Sequence, residues 1–283
     1  MAKLSIIILT FNSSRFISDL LKSLQQFQKD SEIIVVDNAS SDNTVASAKK
    51  FDWVRVVETG QNLGFAKGIN FGAKKATGEY LLFINPDTEF KSGSLSDLKS
   101  IFENNEKIGI VGGKLVDKDG QVEKSAGKFF NLLNTFFIIL GLDEAFGSRF
   151  SPNKFSRVDF VSGGFMIVRS DLFKKLNGFD ENFFMYLEDM ELCFRAKKIG
   201  FETYFAPSVV VTHAGQGSSS RGFAVINIYK GILYFYKKHK TRLEYEIVRI
   251  GLGTKAIAVY FLGRITNNSY YTQTYGKALE IIR

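Results

Sequence analysis

The sequence predicts an α/β protein whose central sheet is mostly parallel and covered by helices. Two observations support this class. Within the first 116 residues, short apolar runs alternate with segments in which apolar residues recur at helical spacing. Two acidic residues stand after two of these runs: Asp37 follows one directly, and Asp87 follows another after Asn85-Pro86. Thr10 also stands at the end of such a run. Because ligands bind beyond the carboxyl ends of parallel strands, we expect one crevice to collect Thr10, Asp37 and Asp87.

The predicted strands are short and rich in β-branched residues, which is typical of strands buried on both faces of a parallel sheet. They are Leu4–Thr10, Glu32–Val36, Trp53–Glu58, Tyr80–Ile84 and Ile108–Val111. Between the first two strands, Ser14 can cap a helix whose apolar residues share one face. A Ser/Asp/Asn cluster after residue 39 begins a second, shorter helix.

The pattern changes after residue 116. Residues 117–120 (Asp-Lys-Asp-Gly) indicate a hairpin turn, and residues 125–157 fit no single type of element. We then predict a helix from Ser170 that ends at Asn177-Gly178 and a second helix from Glu188 to Ile199. Two strands follow at 201–206 and 209–212, and from Gly222 onward the sequence is helical, aromatic and basic.

Composition limits the class of protein. The 283 residues are 45% hydrophobic, which is enough for a large domain with an appendage. A single cysteine, Cys193, excludes a disulfide framework and fits a reducing compartment. The net charge of +8 lies in residues 221–283, which hold 11 Lys and Arg against 3 Asp and Glu. We therefore expect this segment to meet an anionic partner, either nucleic acid or a membrane surface.

Acidic residues carry the first candidate chemistry. Asp87 follows an Asn-Pro pair, and the proline stiffens the turn so that the carboxylate has a fixed direction. Such a carboxylate suits a divalent cation that also holds a diphosphate. Glu188 and Asp189 begin a helix after an aromatic run, and apolar surroundings raise the pKa of a carboxyl group towards that of a general base. The alternative for each acid is a cap or first-turn role.

His213 begins a second candidate cluster at the end of an apolar strand. The Gly/Ser loop after it, which contains Ser219 and ends at Arg221, offers N–H groups, hydroxyls and a guanidinium to a diphosphate. A histidine beside a metal-held diphosphate can serve as an additional ligand. A purely structural histidine is the alternative.

Four segments, taken in order, resemble a family-2 glycosyltransferase with the GT-A fold. They are residues 5–12 with 35–42, residues 62–70, residues 76–87 and residues 178–200. The branch most resembled is that of bacterial rhamnosyltransferase-like enzymes of cell-surface polysaccharide synthesis. The Gln-x-x-Arg-Trp motif of processive synthases is absent, since the only tryptophan is Trp53.

The resemblance assigns roles to individual residues. Positions that line the nucleotide are matched by Thr10, Phe11, Asn12, Asp37 and Asn38, and the predicted donor-binding set also contains Asn70, Asn85, Ser219 and Arg221. The metal positions are matched by Asp87 and His213, and the general-base position by Asp189, with Glu188 beside it. Asn85 departs from the family, which has aspartate there, so the expected Mg²⁺ or Mn²⁺ ion meets one negative charge less.

The predicted function is an inverting, metal-dependent sugar transfer to a hydroxyl of a lipid-linked saccharide. The resemblance favours dTDP-rhamnose as donor, with UDP-sugars next. One alternative is a nucleotidyltransferase acting on a sugar phosphate, against which the sequence lacks a Gly/Arg-rich loop after the first strand. The other is a non-catalytic nucleic-acid-binding protein, against which the basic residues are confined to an apolar-rich tail.

We predict a catalytic domain over residues 1–220, divided after residue 116 into nucleotide-binding and acceptor halves, and a helical extension over residues 221–283. In this extension, apolar residues 223–236 run into a basic cluster, residues 237–242, a pattern typical of an interfacial membrane anchor. A buried packing helix or a homo-oligomer interface are the alternatives. No segment reaches the roughly 18–20 apolar residues of a spanning helix. We expect a cytoplasmic protein, peripheral on the inner face of the membrane, with no nucleic-acid partner.

Overall fold

The structure, a computed structural model, describes residues 4–215 and 220–282, without the side chains of residues 95–99. The chain forms two compact units. The first contains residues 1–129, 149–184 and 189–218, and the second contains residues 130–148, 185–188 and 219–283. This division differs from the predicted domains, because residues 130–148 fold with the C-terminal helices instead of with the catalytic part.

The strands all belong to the first unit. In the described residues they are β1 (Leu4–Thr10), β2 (Ser31–Asp37), β3 (Val54–Glu58), β4 (Tyr80–Ile84), β5 (Thr88–Ser92), β6 (Ile108–Val116), β7 (Ala126–Gly127), β8 (Arg149–Phe150), β9 (Ser156–Val158), β10 (Phe160–Val161), β11 (Phe165–Arg169) and β12 (Glu202–His213). The helices of the described chain are α1 (Ile17–Leu24), α2 (Thr44–Ala48), α3 (Phe65–Ala73), α4 (Leu95–Asn104), α5 (Leu132–Leu140), α6 (Ser170–Lys175), α7 (Glu188–Lys198), α8 (Arg221–His239), α9 (Arg242–Ile265) and α10 (Ser269–Ile282).

A nine-stranded sheet forms the core of the first unit. Its order is β3-β2-β1-β4-β11-β6-β12-β5, with β9 also paired to β12. The four strands β1 to β4 are parallel, as are β6 and β12, whereas β11 runs antiparallel between β4 and β6. The predicted parallel pairing is therefore observed for β1 to β4, and the sheet as a whole is mixed, since β11 and β5 run antiparallel to their neighbours. A small antiparallel sheet, β10-β7-β8, lies outside it.

Helix α3 packs directly on this sheet because it has no side chain at two contact positions. A Cβ at Gly68 would lie 2.5 Å from Leu9 Cδ1, and one at Gly72 would lie 2.5 Å from Val36 Cγ2. Both strands below are fully buried in their centres. The close approach holds the end of α3 near the carboxyl ends of β1 and β2, where the site is built.

Two local predictions are wrong in detail. Helix α1 begins at Ile17 without a side-chain cap in the described residues, because its N-cap position is Phe16 and not Ser14. The backbone N–H of Ser14 donates to Asp42 Oδ2 at 3.0 Å. The two strands predicted after Gly200 are one continuous strand, β12, whose register shifts between Ala206 and Val210. The turn at residues 117–120 is confirmed, since Asp117 N–H donates to the Gln121 carbonyl oxygen.

The second unit is helical and contains α5, α8, α9 and α10. The aromatic residues of α8 form its interior: Phe235 and Tyr236 are buried, Phe130 packs on both rings, and Thr135 Oγ1 lies 2.7 Å from Tyr236 Oη. The prediction that residues 223–236 form a membrane anchor is therefore wrong for Tyr229, Phe235 and Tyr236, because these rings are covered by protein, whereas Phe223 is 36% exposed. None of the helices in the described part of the chain is both long and apolar enough to cross a bilayer.

Candidate active site

The ends of β1 and β2 meet in register. Thr10 is the strand partner of Asp37, and both side chains are buried. Thr10 Oγ1 donates to Asp37 Oδ1 at 3.1 Å, and the Ser40 N–H donates to Asp37 Oδ2 at 2.9 Å. Each carboxylate oxygen thus has a donor, which allows a charged group to remain in a buried position. Thr10 and Asp37 thus lie together at one edge of the sheet, as predicted, and a crevice that they share with Asp87 stays a prediction.

The loops that follow these strands bind each other. Asn12 has a left-handed backbone (φ +50°), its N–H donates to Ser40 Oγ at 2.9 Å, and its Oδ1 accepts from the Ser41 N–H at 2.9 Å. In the same loop pair, desolvation opposes ionisation of the exposed Asp42, but hydrogen bonds from Thr44 and Ser14 lower its pKa to about 2. The loop that carries Phe11 and Asn12 is therefore fixed before any nucleotide arrives.

Two predicted donor-binding residues hold loops together. Asn38 Oδ1 accepts from the Leu63 N–H at 3.0 Å, and Asn38 Nδ2 donates to Asn62 Oδ1 at 2.9 Å. Asn70 Oδ1 accepts from the Phe179 N–H and its Nδ2 donates to the Phe179 carbonyl oxygen, both at 2.8 Å. These bonds make both asparagines structural clamps, and their contact with a nucleotide stays a prediction.

Gly64 joins the clamped loop to the segment before α7. Its φ is +78°, and a Cβ there would lie 2.5 Å from the Phe184 carbonyl oxygen. The next residue, Phe65, donates its N–H to that same oxygen at 2.6 Å. Only glycine satisfies both the left-handed backbone and the close approach. The loop that Asn38 holds is therefore connected, through Gly64 and Phe65, to the aromatic run before Asp189.

His213 lies between two carboxylates. It is the strand partner of Thr88 at the edge where β12 meets β5, and Asp87 precedes that residue. His213 Nε2 lies 3.4 Å from Asp87 Oδ2, and His213 Nδ1 lies 2.9 Å from Glu123 Oε2. The carboxylate of Asp87 first, and that of Glu123 with it, raise the pKa of His213 to about 9, although burial acts in the opposite direction.

Glu123 is a site residue that the sequence analysis missed. It stands on the return arm of the turn at 117–120, where Val122 bridges to Val116 and the Glu123 N–H donates to the Leu115 carbonyl oxygen. Val116 is also the strand partner of Thr212 in β12. The pairing of β6 with β12 therefore places Glu123 beside His213. The sequence showed only a carboxylate after the predicted turn. Its proximity to His213 depends on the register of β6 on β12.

The geometry around Asp87 fits a divalent cation. Asp87 Oδ2 is buried and accepts no well-formed hydrogen bond from the described residues. Ligands of one cation, each about 2.0–2.2 Å from it, lie about 3 Å apart, and the Asp87–His213 pair is close to that spacing. Over the described residues, no group of three His, Cys, Asp or Glu side chains forms a complete metal site. Further ligands would come from a diphosphate and water, as is usual for Mg²⁺.

Asp189 is held at the start of α7. The Gly163 N–H donates to Asp189 Oδ2 at 3.0 Å, and the Met190 N–H donates to Asp189 Oδ1 at 2.7 Å. Burial raises the pKa of Asp189, against the effect of these two hydrogen bonds. The neighbouring Gly164 carbonyl oxygen accepts from the Asn85 N–H at 3.2 Å. The glycine pair thus connects the predicted base to the turn that carries Asp87.

The backbone before Asp189 is strained. Tyr186 and Leu187 both have left-handed φ values, 72° and 71°, although neither is glycine. Such conformations cost of order 1–3 kcal/mol each and cluster at functional sites. Glu188 is buried at the first position of α7. A first-turn role for these acids, the alternative reading, does not require left-handed backbone at Tyr186 and Leu187.

The third acid of this helix has a structural partner. Glu191 is fully buried, and its Oε2 lies 2.7 Å from Arg195 Nε. The guanidinium of Arg195 also donates to the Leu176 and Gly178 carbonyl oxygens at 2.6 and 2.8 Å. This pair fixes α7 to the loop after α6, so it positions Asp189 indirectly.

The predicted diphosphate loop is only partly described. Ser219 lies outside the described residues. Arg221 is the first residue of α8, is exposed, and belongs to the second unit. Its predicted contact with the donor stays a prediction.

Comparison with known proteins identifies the family. The family model described as Glycosyl transferase family 2 matches residues 5–176. N-acetylglucosaminyl-diphospho-decaprenol L-rhamnosyltransferase of Mycobacterium tuberculosis is 25% identical over 244 residues, which are 77% of this chain and 78% of that protein. Rhamnosyltransferase WbbL of Escherichia coli is 26% identical over 217 residues, 74% of this chain and 82% of that protein.

Solved structures agree on the fold. Mannosyltransferase PcManGT from Pyrobaculum calidifontis, solved with GDP-Man and Mn²⁺, is similar with a TM-score of 0.58 at 15% identity, over 99% of this chain and 84% of that one. The resemblance predicted from four sequence segments is confirmed, and with it the GT-A fold and the enzyme class. The chain belongs to glycosyl transferase family 2 and is a rhamnosyltransferase-like hexosyltransferase.

Proposed function

We propose that this enzyme transfers rhamnose from dTDP-rhamnose to a hydroxyl of a lipid-linked saccharide, with inversion at the anomeric carbon. The observation that carries the proposal is the connection from Asp189, through Gly163 and Gly164, to the turn of Asp87 and its neighbour His213. It joins a candidate base to a candidate diphosphate site. The names of the two relatives support the sugar, and the decaprenol-linked substrate in the name of the M. tuberculosis relative supports the acceptor.

The donor nucleotide is proposed to bind at the ends of β1 and β2. Thr10 and Asp37 form its buried floor, and the preset loop of Phe11 and Asn12 forms its wall. Because these groups are already hydrogen-bonded to one another, little ordering remains to oppose binding. Asn85, directly after β4, offers an amide to the donor where the family has a carboxylate.

Asp87 and His213 would hold a Mg²⁺ or Mn²⁺ ion, an expectation supported by the Mn²⁺ in the PcManGT structure. When bound, the ion supplies positive charge against the developing charge of the leaving diphosphate. Glu123 holds His213 Nδ1, so Nε2 is the ring nitrogen directed at Asp87. A carboxylate behind a ligating histidine fixes its tautomer and its orientation.

Asp189 is proposed as the general base. Its carboxylate accepts the proton of the acceptor hydroxyl while that oxygen bonds to the anomeric carbon and the bond to the diphosphate oxygen breaks on the opposite face. The raised pKa makes Asp189 a stronger base than an ordinary aspartate. The Gly163 and Met190 N–H groups fix the direction of the carboxylate. One displacement with one base inverts the configuration.

A donor screen tests this reaction. The purified chain is incubated with dTDP-rhamnose or UDP-sugars, a polyprenyl-diphosphate saccharide and Mg²⁺ or Mn²⁺, and the released nucleotide and the extended lipid are measured. We expect dTDP release coupled to addition of one sugar. Release with a UDP-sugar alone would replace the donor while keeping the reaction. Release of pyrophosphate from a nucleoside triphosphate and a sugar phosphate would identify a nucleotidyltransferase instead.

A further inference from the structure

One face of α9 is apolar and exposed along the length of the helix. Its large apolar residues recur at intervals of three, four or seven positions, which places them on one side of a helix. They are Leu243, Ile247, Ile250, Ile257, Phe261 and Ile265. The exposed fractions reach 71% at Leu243, 63% at Ile250 and 81% at Ile265. At 1.5 Å per residue the stripe is about 33 Å long.

Helix α5 of the same unit also exposes large apolar side chains. Leu133, Phe136 and Leu140 are exposed at helical spacing, and Leu133 is 68% exposed. The two helices pack together where Ile139 approaches Gly251. We call the six residues of α9 and these three of α5 the apolar face. Monomeric proteins rarely leave so many large apolar side chains uncovered together, so a partner is expected.

The charge of the unit indicates which partner. Residues 221–283 carry 11 basic against 3 acidic residues, and the remaining residues of the unit add the acidic Asp143, Glu144 and Glu188, so the unit keeps a net positive charge. Lys237 and Arg242 are exposed just before and at the start of α9, and Arg264 is exposed at its end. Basic residues at both ends of an apolar helix face match an anionic bilayer, where the apolar side enters the acyl boundary and the cations meet the headgroups. A second copy of the chain would cover the same residues only by bringing two strongly basic units together.

We propose that the apolar face docks on an anionic lipid bilayer, with α9 lying in the plane of the membrane surface. This surface differs from the segment at residues 223–236 that the sequence indicated, in which Tyr229, Phe235 and Tyr236 are buried in the unit. The proposal goes beyond the transfer reaction and does not depend on it. Its consequence for the reaction is that a lipid-linked acceptor is met at the surface on which the enzyme rests.

Vesicle flotation tests the docking. Vesicles of phosphatidylcholine with 30% phosphatidylglycerol are compared with phosphatidylcholine alone, at low and high salt. We expect the full chain to float with the anionic vesicles and to be released as salt rises, because screening weakens the attraction. Ile250→Asn/Ile257→Asn should lower the bound fraction at least tenfold without changing the charge. Lys237→Gln/Arg242→Gln should weaken partitioning about 30-fold, given the roughly 1 kcal/mol that each basic residue contributes.

Controls separate this proposal from the reaction and from misfolding. Ile199→Asn changes an exposed isoleucine in the first unit and should leave flotation unchanged. All variants should keep the unfolding midpoint and the transfer rate to a water-soluble acceptor. A chain that stays unbound from anionic vesicles at low salt overturns the proposal. So does a wild-type dimer that Ile250→Asn/Ile257→Asn converts to a monomer, since the apolar face would then be an interface between copies.

Discussion

Asp37, Asp87 and Asp189 are carboxylates in buried or half-buried positions, whereas Leu243, Ile250 and Ile265 are large apolar side chains at an exposed surface. Both groups depart from the usual distribution, since burying a charge and exposing a large apolar side chain each cost free energy. In the first unit, hydrogen bonds orient the carboxylates of Asp37 and Asp189, and His213 lies beside that of Asp87. In the second unit, Leu243, Ile250 and Ile265 remain exposed to solvent in the described structure. The comparison teaches that the first set is prepared for chemistry and the second for contact.

The comparison is tested most strongly at Asp189. We expect Asp189→Asn to lower the rate of sugar transfer about 10²–10⁴-fold, because the amide cannot accept the hydroxyl proton. Donor affinity, measured by calorimetry with dTDP-rhamnose and Mn²⁺, should not change. Asp19→Asn, at an exposed position of α1, is the matched control. If Asp189→Asn kept most of its activity, Asp189 would be a helix-capping residue, and Glu188 would be the next candidate for the general base.

The second largest effect distinguishes buried from exposed aromatic residues within one unit. Phe235→Ala should lower the free energy of unfolding by about 3–5 kcal/mol, because the ring is fully buried against Phe130. Phe261→Ala, at a ring that is 59% exposed, should change it by about 0.5 kcal/mol or less. Urea unfolding followed by circular dichroism measures both. Equal losses would show that the apolar face is covered in the folded protein.

Glu123 should affect the affinity for the metal through His213, without being a ligand itself. We expect Glu123→Gln to weaken Mn²⁺ binding about 10–100-fold, because His213 loses the carboxylate that orients it. Titration of Mn²⁺ followed by electron paramagnetic resonance measures this in the absence of turnover. Glu89→Gln, which removes a carboxylate from an exposed pair with Lys91, is the control. Unchanged binding would reduce the Glu123–His213 contact to a structural one.

The smallest effect concerns Asp42. Its pKa is about 2 in the folded protein, below the usual 3.8, so its stabilising effect is present above about pH 4 and is lost as pH falls towards 2. We expect Asp42→Asn to cost about 1 kcal/mol at pH 6, after allowance for solvent screening, and nothing near pH 2. Thermal unfolding across this range measures the difference. A constant difference at every pH would show that the hydrogen bonds, not the charge, matter.

The sequence predicted what local patterns determine. The strands that end at Thr10 and Asp37 were readable because each is a short run of β-branched residues, and the motif around Asp189 because its residues are contiguous. Glu123 was not readable, since its neighbour His213 is 90 positions away and only the register of β12 on β6 brings them together. The helix at residues 223–236 was misread because burial in protein and burial in lipid select the same apolar and aromatic residues.

The course of the chain between the two units limits how this enzyme can diversify. Helix α5 is inserted between β7 and β8 of the first unit, yet its Thr135 and Ile139 pack against α8 and α9. A gene fusion at codon 220 would therefore exchange three helices and leave the fourth without its partners. We expect new C-terminal helices to appear in related enzymes only together with matching changes in residues 130–148, so the two stretches are inherited as one cassette despite the 70 residues that separate them.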